Sequence, residues 1–175
     1  MRLGQAKKVP PNDAVEALTK LLFGKRLAHF HVGHFFTLYF GNFGGGPERP
    51  SPPVEVAVCV SELWINHKKE WDQKVSDVPS SVVEPTVPVK AYELARLCWI
   101  DDTDVVCVSK DTACVTITLK NGEVINVALQ SEDEFAFMLS DDPDERKSRF
   151  SICCVDGDFY ARGLDFLADS SWTTP

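Results

Sequence analysis

Three of the four histidines, His29, His31 and His34, fall within six residues. On an extended strand side chains alternate, so His29 and His31 would share one face, and Gly33 would let the chain swing His34 round to join them. Three imidazoles on one side are a ligand set for a zinc-like ion, with Glu55 or Glu62 able to add an oxygen. HxHxxH is a common spacing, however. The plainer reading is a partly exposed sheet face whose imidazoles are hydrogen-bonded and metal-free. A metal-dependent enzyme built on His29, His31 and His34 is therefore kept as the alternative, and no cofactor is expected.

Nucleophilic chemistry has less to work with. The six cysteines are Cys59, Cys98, Cys107, Cys114, Cys153 and Cys154, and no CxxC pair occurs. They sit in apolar or alternating stretches, as small buried residues do, rather than at helix N-termini where thiolates are stabilised. We read them as reduced core thiols of a cytoplasmic protein. No serine lies in a GxSxG elbow. Gly44-Gly45-Gly46 is followed by no Lys-Ser/Thr pair and no helix start, so it is not a phosphate loop. The expectation is a protein that is not an enzyme.

Acidic residues supply a stronger pattern. Glu132, Asp133, Glu134, Asp141, Asp142, Asp144 and Glu145 fall within fourteen residues that hold no Lys or Arg, interleaved with Phe135, Phe137, Met138 and Leu139. Asp101, Asp102 and Asp104 form a second group just after Trp99. The net charge of −8 divides into +4 over residues 1–50 and −12 over residues 51–175. Such a field repels phosphate backbones, disfavouring nucleic acid, and attracts a basic protein. Carboxylates steer an encounter while aromatics supply buried contact. The candidate partner-binding residues are thus Asp101, Asp102, Asp104, Glu132, Asp133, Glu134, Asp141 and Asp142, with Trp99 and Phe137 as anchors. The competing reading places Phe135, Phe137 and Leu139 in the core and leaves the acids solvated. An EF-hand-like loop at Asp141–Asp144 lacks the required Gly and terminal Glu.

The elements that must carry these groups follow from periodicity. After a basic N-terminal arm (1–11), Asp13 and Glu16 form a capping-box-like start, and apolar residues from Ala14 to Leu22 predict a helix stopped at Gly24. Strands are expected at Arg26–Val32 and Phe35–Phe40, the second covered on both faces. Gly41–Pro53 reads as a loop, Val54–Ile65 as the longest strand, and 66–75 as a short helix or loop. Pro79, Pro85 and Pro88 mark an extended connector over 79–90. A helix at Ala91–Ile100 then precedes strands at Asp104–Ser109, Cys114–Leu119 and Glu123–Leu129, the last two joined at Asn121-Gly122. Arg149–Val155 and Phe159–Leu167 make a hairpin around Asp156-Gly157, and the tail from Ala168 is polar.

The fold class is therefore α+β. Two similar αβββ units with largely antiparallel sheets (12–78 and 91–130) share one core, followed by an acidic segment, a C-terminal β-hairpin and the tail (131–175). Phe36–Asn42 aligns in pattern with Val115–Asn121. No apolar run reaches the ~20 residues of a membrane span, and the N-terminus has no apolar signal core.

Leu22-Phe23-Gly24-Lys25-Arg26-Leu27 leading into Phe35–Phe40, and Leu97-Cys98-Trp99-Ile100-Asp101-Asp102 before a hairpin, resemble small bacterial domains found among immunity proteins of polymorphic and type VI toxin systems. The resemblance covers 14–65 and 91–130 as a hydrophobic pattern and carries no catalytic set. It implies a cytoplasmic protein that neutralises a cognate toxin by occluding its active site. The acidic surface suits a basic, nuclease-like toxin domain as that partner. A structural or adaptor domain is the third reading.

Overall fold

The computed structural model describes residues 6–41, 55–133, 135–141 and 148–164. Most of the Gly41–Pro53 loop, the acidic residues Glu134, Asp142, Asp144 and Glu145, and the tail lie outside the described residues. The described chain runs β1 (Lys7–Val9), α1 (Pro11–Leu22), β2 (Arg26–Val32), β3 (Phe36–Gly41), β4 (Val56–Val60), β5 (Leu63–Ile65), α2 (Lys68–Ser76), α3 (Thr86–Trp99), β6 (Val105–Lys110), β7 (Cys114–Leu119), β8 (Val124–Ala128), β9 (Phe137–Ser140), β10 (Ser151–Val155) and β11 (Asp158–Arg162).

The strands form two antiparallel sheets, a seven-stranded one ordered β1-β11-β10-β9-β4-β3-β2 and a four-stranded one ordered β5-β8-β7-β6. This is the α+β class expected. Each of α1 and α3 is followed by a three-stranded antiparallel meander, β2-β3-β4 and β6-β7-β8, in different sheets. Both meanders carry a register shift in the first strand, at Ala28 and at Val106. The first strands also meet, through an antiparallel bridge between Arg26 and Asp104. The C-terminal hairpin turns at Asp156-Gly157, both at positive φ, and joins the large sheet through β9 rather than standing apart.

One hydrophobic cluster joins the inner faces. Val58, Phe137, Leu139 and Ile152 of the large sheet pack with Val115, Ile117 and Val127 of the small one and with Leu18 and Leu22 of α1. Spacing explains α1's part in it, since Ala14, Ala17, Leu18, Leu21 and Leu22 fall on one helical face and are all buried. Pro11 occupies the first helical position, where its missing N–H costs nothing. Gly24 (φ +70) ends the turn and gives its own N–H to Val105 O of β6.

Four expectations are corrected. The N-terminal arm contains β1, which pairs with β11. Val54–Ile65 is not one strand: the chain breaks at Ser61-Glu62, so β4 joins the large sheet and β5 the small one. The connector over 79–90 is too long, because α3 starts at Thr86. Pro88 is its third residue and lies within the first turn, whose N–H groups have no intrahelical acceptor. The acidic segment holds strand β9, entirely buried. Among the described residues no helix is long and apolar enough to cross a membrane.

Candidate functional site: the corner of α3 and β2

Helix α3 turns two faces to different surroundings. Val89, Lys90, Glu93, Leu94 and Leu97 are buried, while Pro88, Tyr92, Ala95 and Trp99, spaced four, three and four residues apart, lie together on the opposite face. Tyr92 is 69% exposed and Trp99 87% exposed. Single exposed apolar residues are ordinary, but Trp99 stands with Tyr92 on one helix face, and exposure of that degree leaves its ring available to a partner.

Beside Trp99 runs a groove of about 410 Å³ between α3 and the edge strand β2. Its walls are Ala95, Cys98 and Trp99 on the helix and Ala28, His29 and Phe30 on the strand. One end is closed by Arg26, whose Nη2 donates to Ile100 O at 2.9 Å, tying β2 to the C-terminal end of α3. Burial pushes the Cys98 thiol up, against the opposing pull of Arg26, so it remains protonated and apolar in character.

The acidic candidates divide between places. Asp101 is exposed, follows α3 directly and has no ion-pair partner among the described residues. Asp102, at φ +57, is matched by Lys120 Nζ at 2.7 Å. Asp104 is half-buried where β6 meets Arg26. Glu132 and Asp133 are exposed elsewhere. Asp133 acts on the Lys90 ammonium, nine residues before Trp99 on α3 and thus about 13 Å away along its axis.

Asp141 is folded inward. Its carboxylate is 7% exposed and accepts from Arg149 Nε at 2.6 Å, Arg149 N at 2.9 Å and Ser148 Oγ at 2.9 Å. Burial alone would raise this carboxyl, but those donors outweigh it and hold it below the usual range. Its work is to tie the end of β9 to the entry of β10. The expected anchor Phe137 is corrected as well: at 2% exposed it packs its ring 6.0 Å from Phe159 inside the core, because the alternation of β9 points it inward. Glu134 and Asp142 lie outside the described residues. Among the described residues the acidic candidates therefore do not form a single plate. What the structure brings together is Trp99, Asp101, Asp102 and Asp104.

The histidines do not converge. His29 stacks on Tyr39 with ring centroids 4.3 Å apart, and its Nδ1 stands 3.5 Å from Glu55 Oε1. His31 lies against Gly33, and His34 meets Phe35 edge-on. Among the described residues no three His, Cys, Asp or Glu side chains stand together to hold a metal ion. Gly33 opens the turn into β3, where the His34 ring packs against Phe35.

Lys90 and Glu93 mark the inner side of α3. Lys90 is 8% exposed, with one long hydrogen bond from Nζ to Ser61 O (3.4 Å) and the Phe36 ring centroid 5.5 Å away. Burial pulls its pKa down, against the opposing effect of Glu62 and Asp133. Glu93 accepts from Lys74 at 2.5 Å and Arg96 at 2.9 Å, and Arg96 also grips Glu123 with both terminal nitrogens. Burial works against the Glu93 carboxylate, yet these donors keep its pKa lowered. This network fastens α2, α3 and the turn before β8 together, and so fixes where Trp99 stands.

Trp99 was singled out from the sequence as a candidate anchor, and the structure places it exposed beside the groove. Tyr92, Phe30 and the groove were not. Their signal was the four-three-four spacing of Pro88, Tyr92, Ala95 and Trp99, hidden by ending the connector at Lys90. Compared with protein-family models, curated proteins and solved structures, the chain matches none.

Proposed function

We propose that this chain is a protein-binding module, not an enzyme, that docks a basic partner at the C-terminal corner of α3. The observation that carries this reading is Trp99, 87% exposed beside an apolar groove and two residues from the exposed carboxylate of Asp101. Interfaces concentrate their energy in a few aromatic anchors, and an uncompensated rim carboxylate favours a cationic neighbour. The negative net charge steers such a partner and disfavours nucleic acid. Cys98 and His29 both line the groove, but burial raises the pKa of the thiol, the opposite of what an activated thiolate needs, and this favours the binding reading.

In its sharpest form the reading is that of an immunity protein, working in the bacterial cytoplasm, which covers the active site of a basic toxin domain. The resemblance of the Leu22–Leu27 and Leu97–Asp102 segments supports it, as does the acidic charge. We further infer that one αβββ unit is used twice, supported by the paired helix-plus-meander order and the matching register shifts at Ala28 and Val106.

The test compares tagged wild-type, Trp99→Ala, Asp101→Lys and Val83→Ala chains as baits, then measures the affinity of any captured protein. Trp99→Ala should weaken binding by about 2 kcal/mol or more, and Asp101→Lys should slow association in a salt-dependent way. Val83→Ala, altering another exposed apolar residue, should bind as wild type. Equal affinity across all four baits would reject the site. Co-expression with the product of an adjacent toxin-like reading frame tests the immunity form: wild type should restore growth and Trp99→Ala should not.

A further inference from the structure

The groove at Trp99 has an unusual wall. It is lined by consecutive residues of β2, the last strand of the seven-stranded sheet, and not only by side chains from scattered elements. Beyond the Arg26–Asp104 bridge, β2 has β3 on one side and, among the described residues, no strand on the other. No hydrogen bond among the described residues reaches that outer edge over Leu27–Val32. Strand edges of this kind present a row of main-chain donors and acceptors that natural proteins ordinarily guard with lysine, proline or an inward charge.

The other edges of both sheets are guarded. At the far edge of the large sheet, β1 is three residues long, carries Lys7 and Lys8, and is followed by Pro10. In the small sheet β5 is also three residues long, and β6 ends on Lys110; a helix packs on β6 and on β2 alike, so that cover does not separate the two. By contrast Leu27-Ala28-His29-Phe30-His31-Val32 has no Lys, Pro, Asp or Glu, and Val32 is 43% exposed. The shift at Ala28 confines the regular, pairable part to His29–Val32. That part lies alongside a helix whose exposed face is Pro88, Tyr92, Ala95 and Trp99.

We propose that an extended, arginine- or lysine-bearing segment of the partner protein pairs with β2 in this groove, extending the sheet by one strand. The inference rests on the docking site proposed above and names the form its ligand takes. Main-chain pairing to His29–Val32 supplies affinity that does not depend on sequence, while side chains on alternate positions of the added strand select it. One side of that strand faces Phe30, Ala95 and Cys98, which suits a β-branched or aromatic residue. At the Trp99 end a cation can lie on the indole face, and Asp101, exposed two residues further on and without an ion-pair partner among the described residues, favours Arg or Lys over a neutral side chain. Asp102 adds little there, being neutralised by Lys120. Arg26 closes one end of the groove and is held on Ile100 O, so the complementarity that commits the occupant to a basic strand comes from Asp101 and from the net −12 of residues 51–175.

The experiment pans a displayed library of random peptides on the full chain and measures the enriched peptides by fluorescence anisotropy. Each is then resynthesised with its backbone amides N-methylated at alternate positions, in both registers. Enriched peptides should alternate apolar and polar residues around an Arg or Lys. One methylated register should lose about tenfold or more in affinity, since it removes several main-chain bonds, and the other should bind nearly as the parent. Both registers binding like the parent, with Trp99→Ala still abolishing binding, would overturn strand addition and leave the docking site intact. Peptides indifferent to both Trp99→Ala and Asp101→Lys, or no enrichment at all, would bring down the docking site itself. Concentration-dependent dimerisation of the free chain that Val32→Lys abolishes would equally overturn the proposal, by giving the edge to a second copy.

Discussion

Lys90 shows what a single side chain contributes at the inner face of α3. The residue is 8% exposed, and its ammonium has one 3.4 Å hydrogen bond and the Phe36 ring, too few partners for three donors. Burial therefore disfavours the charged form, and its pKa in the fold lies below the ordinary 10.5. The sign follows from linkage. Below the depressed value both folded and unfolded chains hold the proton, and the full cost of the buried charge is present. Between that value and 10.5 the unfolded chain binds more protons, so stability rises with pH. Lys90→Met should stabilise the protein by about 1 kcal/mol at neutral pH, and the gap to wild type should close as pH approaches 10.5. Urea unfolding of both chains at neutral and alkaline pH measures it; a gap that widens with pH, or a destabilised variant at neutral pH, contradicts the assignment. Nothing in the sequence distinguished this lysine from a solvated one, because its neighbours Ser61, Phe36 and Asp133 come from three other parts of the chain.

At the scale of elements, legibility depended on whether the signal was local. Helix α1 and strands β2, β3, β7 and β8 were visible because spacing, Gly24 and Asn121-Gly122 speak for themselves within a dozen residues. The break at Ser61-Glu62 was not, since alternation continues on both sides and only the destination of each half differs. Strand β9 was obscured by the acids around it, although the alternative of a buried Phe135, Phe137 and Leu139 was on hand. The joint between β9, β10 and β11 rests on close backbone approach as well as on Asp141. Gly163, at φ +67, follows β11, and a Cβ there would stand 2.1 Å from Arg149 O. A carbonyl in the backbone cannot swing aside, so Gly163→Ala must displace the entry to β10. The expected cost is about 2 kcal/mol or more, read as a fall of several degrees in Tm. A variant melting with wild type would mean that this contact does not constrain the hairpin.

For the whole molecule the question is whether two helix-plus-meander units behave as two bodies or one. Residues from both sheets and α1 fall in a single apolar cluster, in which Phe137 of the large sheet lies near Ile117 and Val127 of the small one. Exchange of partners reinforces it, because α1 packs on β6 and α3 packs on β2, each helix against the first strand of the other unit. Removing a buried phenyl from such a core costs about 3–5 kcal/mol in transfer and cavity terms, and here that loss must be felt everywhere at once. Phe137→Ala should therefore shift the urea midpoint of tryptophan fluorescence, to which Trp64 and Trp71 near the small sheet contribute, by the same amount as that of far-ultraviolet circular dichroism. Trp99→Ala should leave both midpoints close to wild type, since its ring makes little contact with the core. Fluorescence and dichroism midpoints that separate in Phe137→Ala would mean two units unfolding independently. The Arg96–Glu93–Lys74 network could then orient Trp99 without help from the large sheet, and the groove beside β2 would not be held at a fixed width.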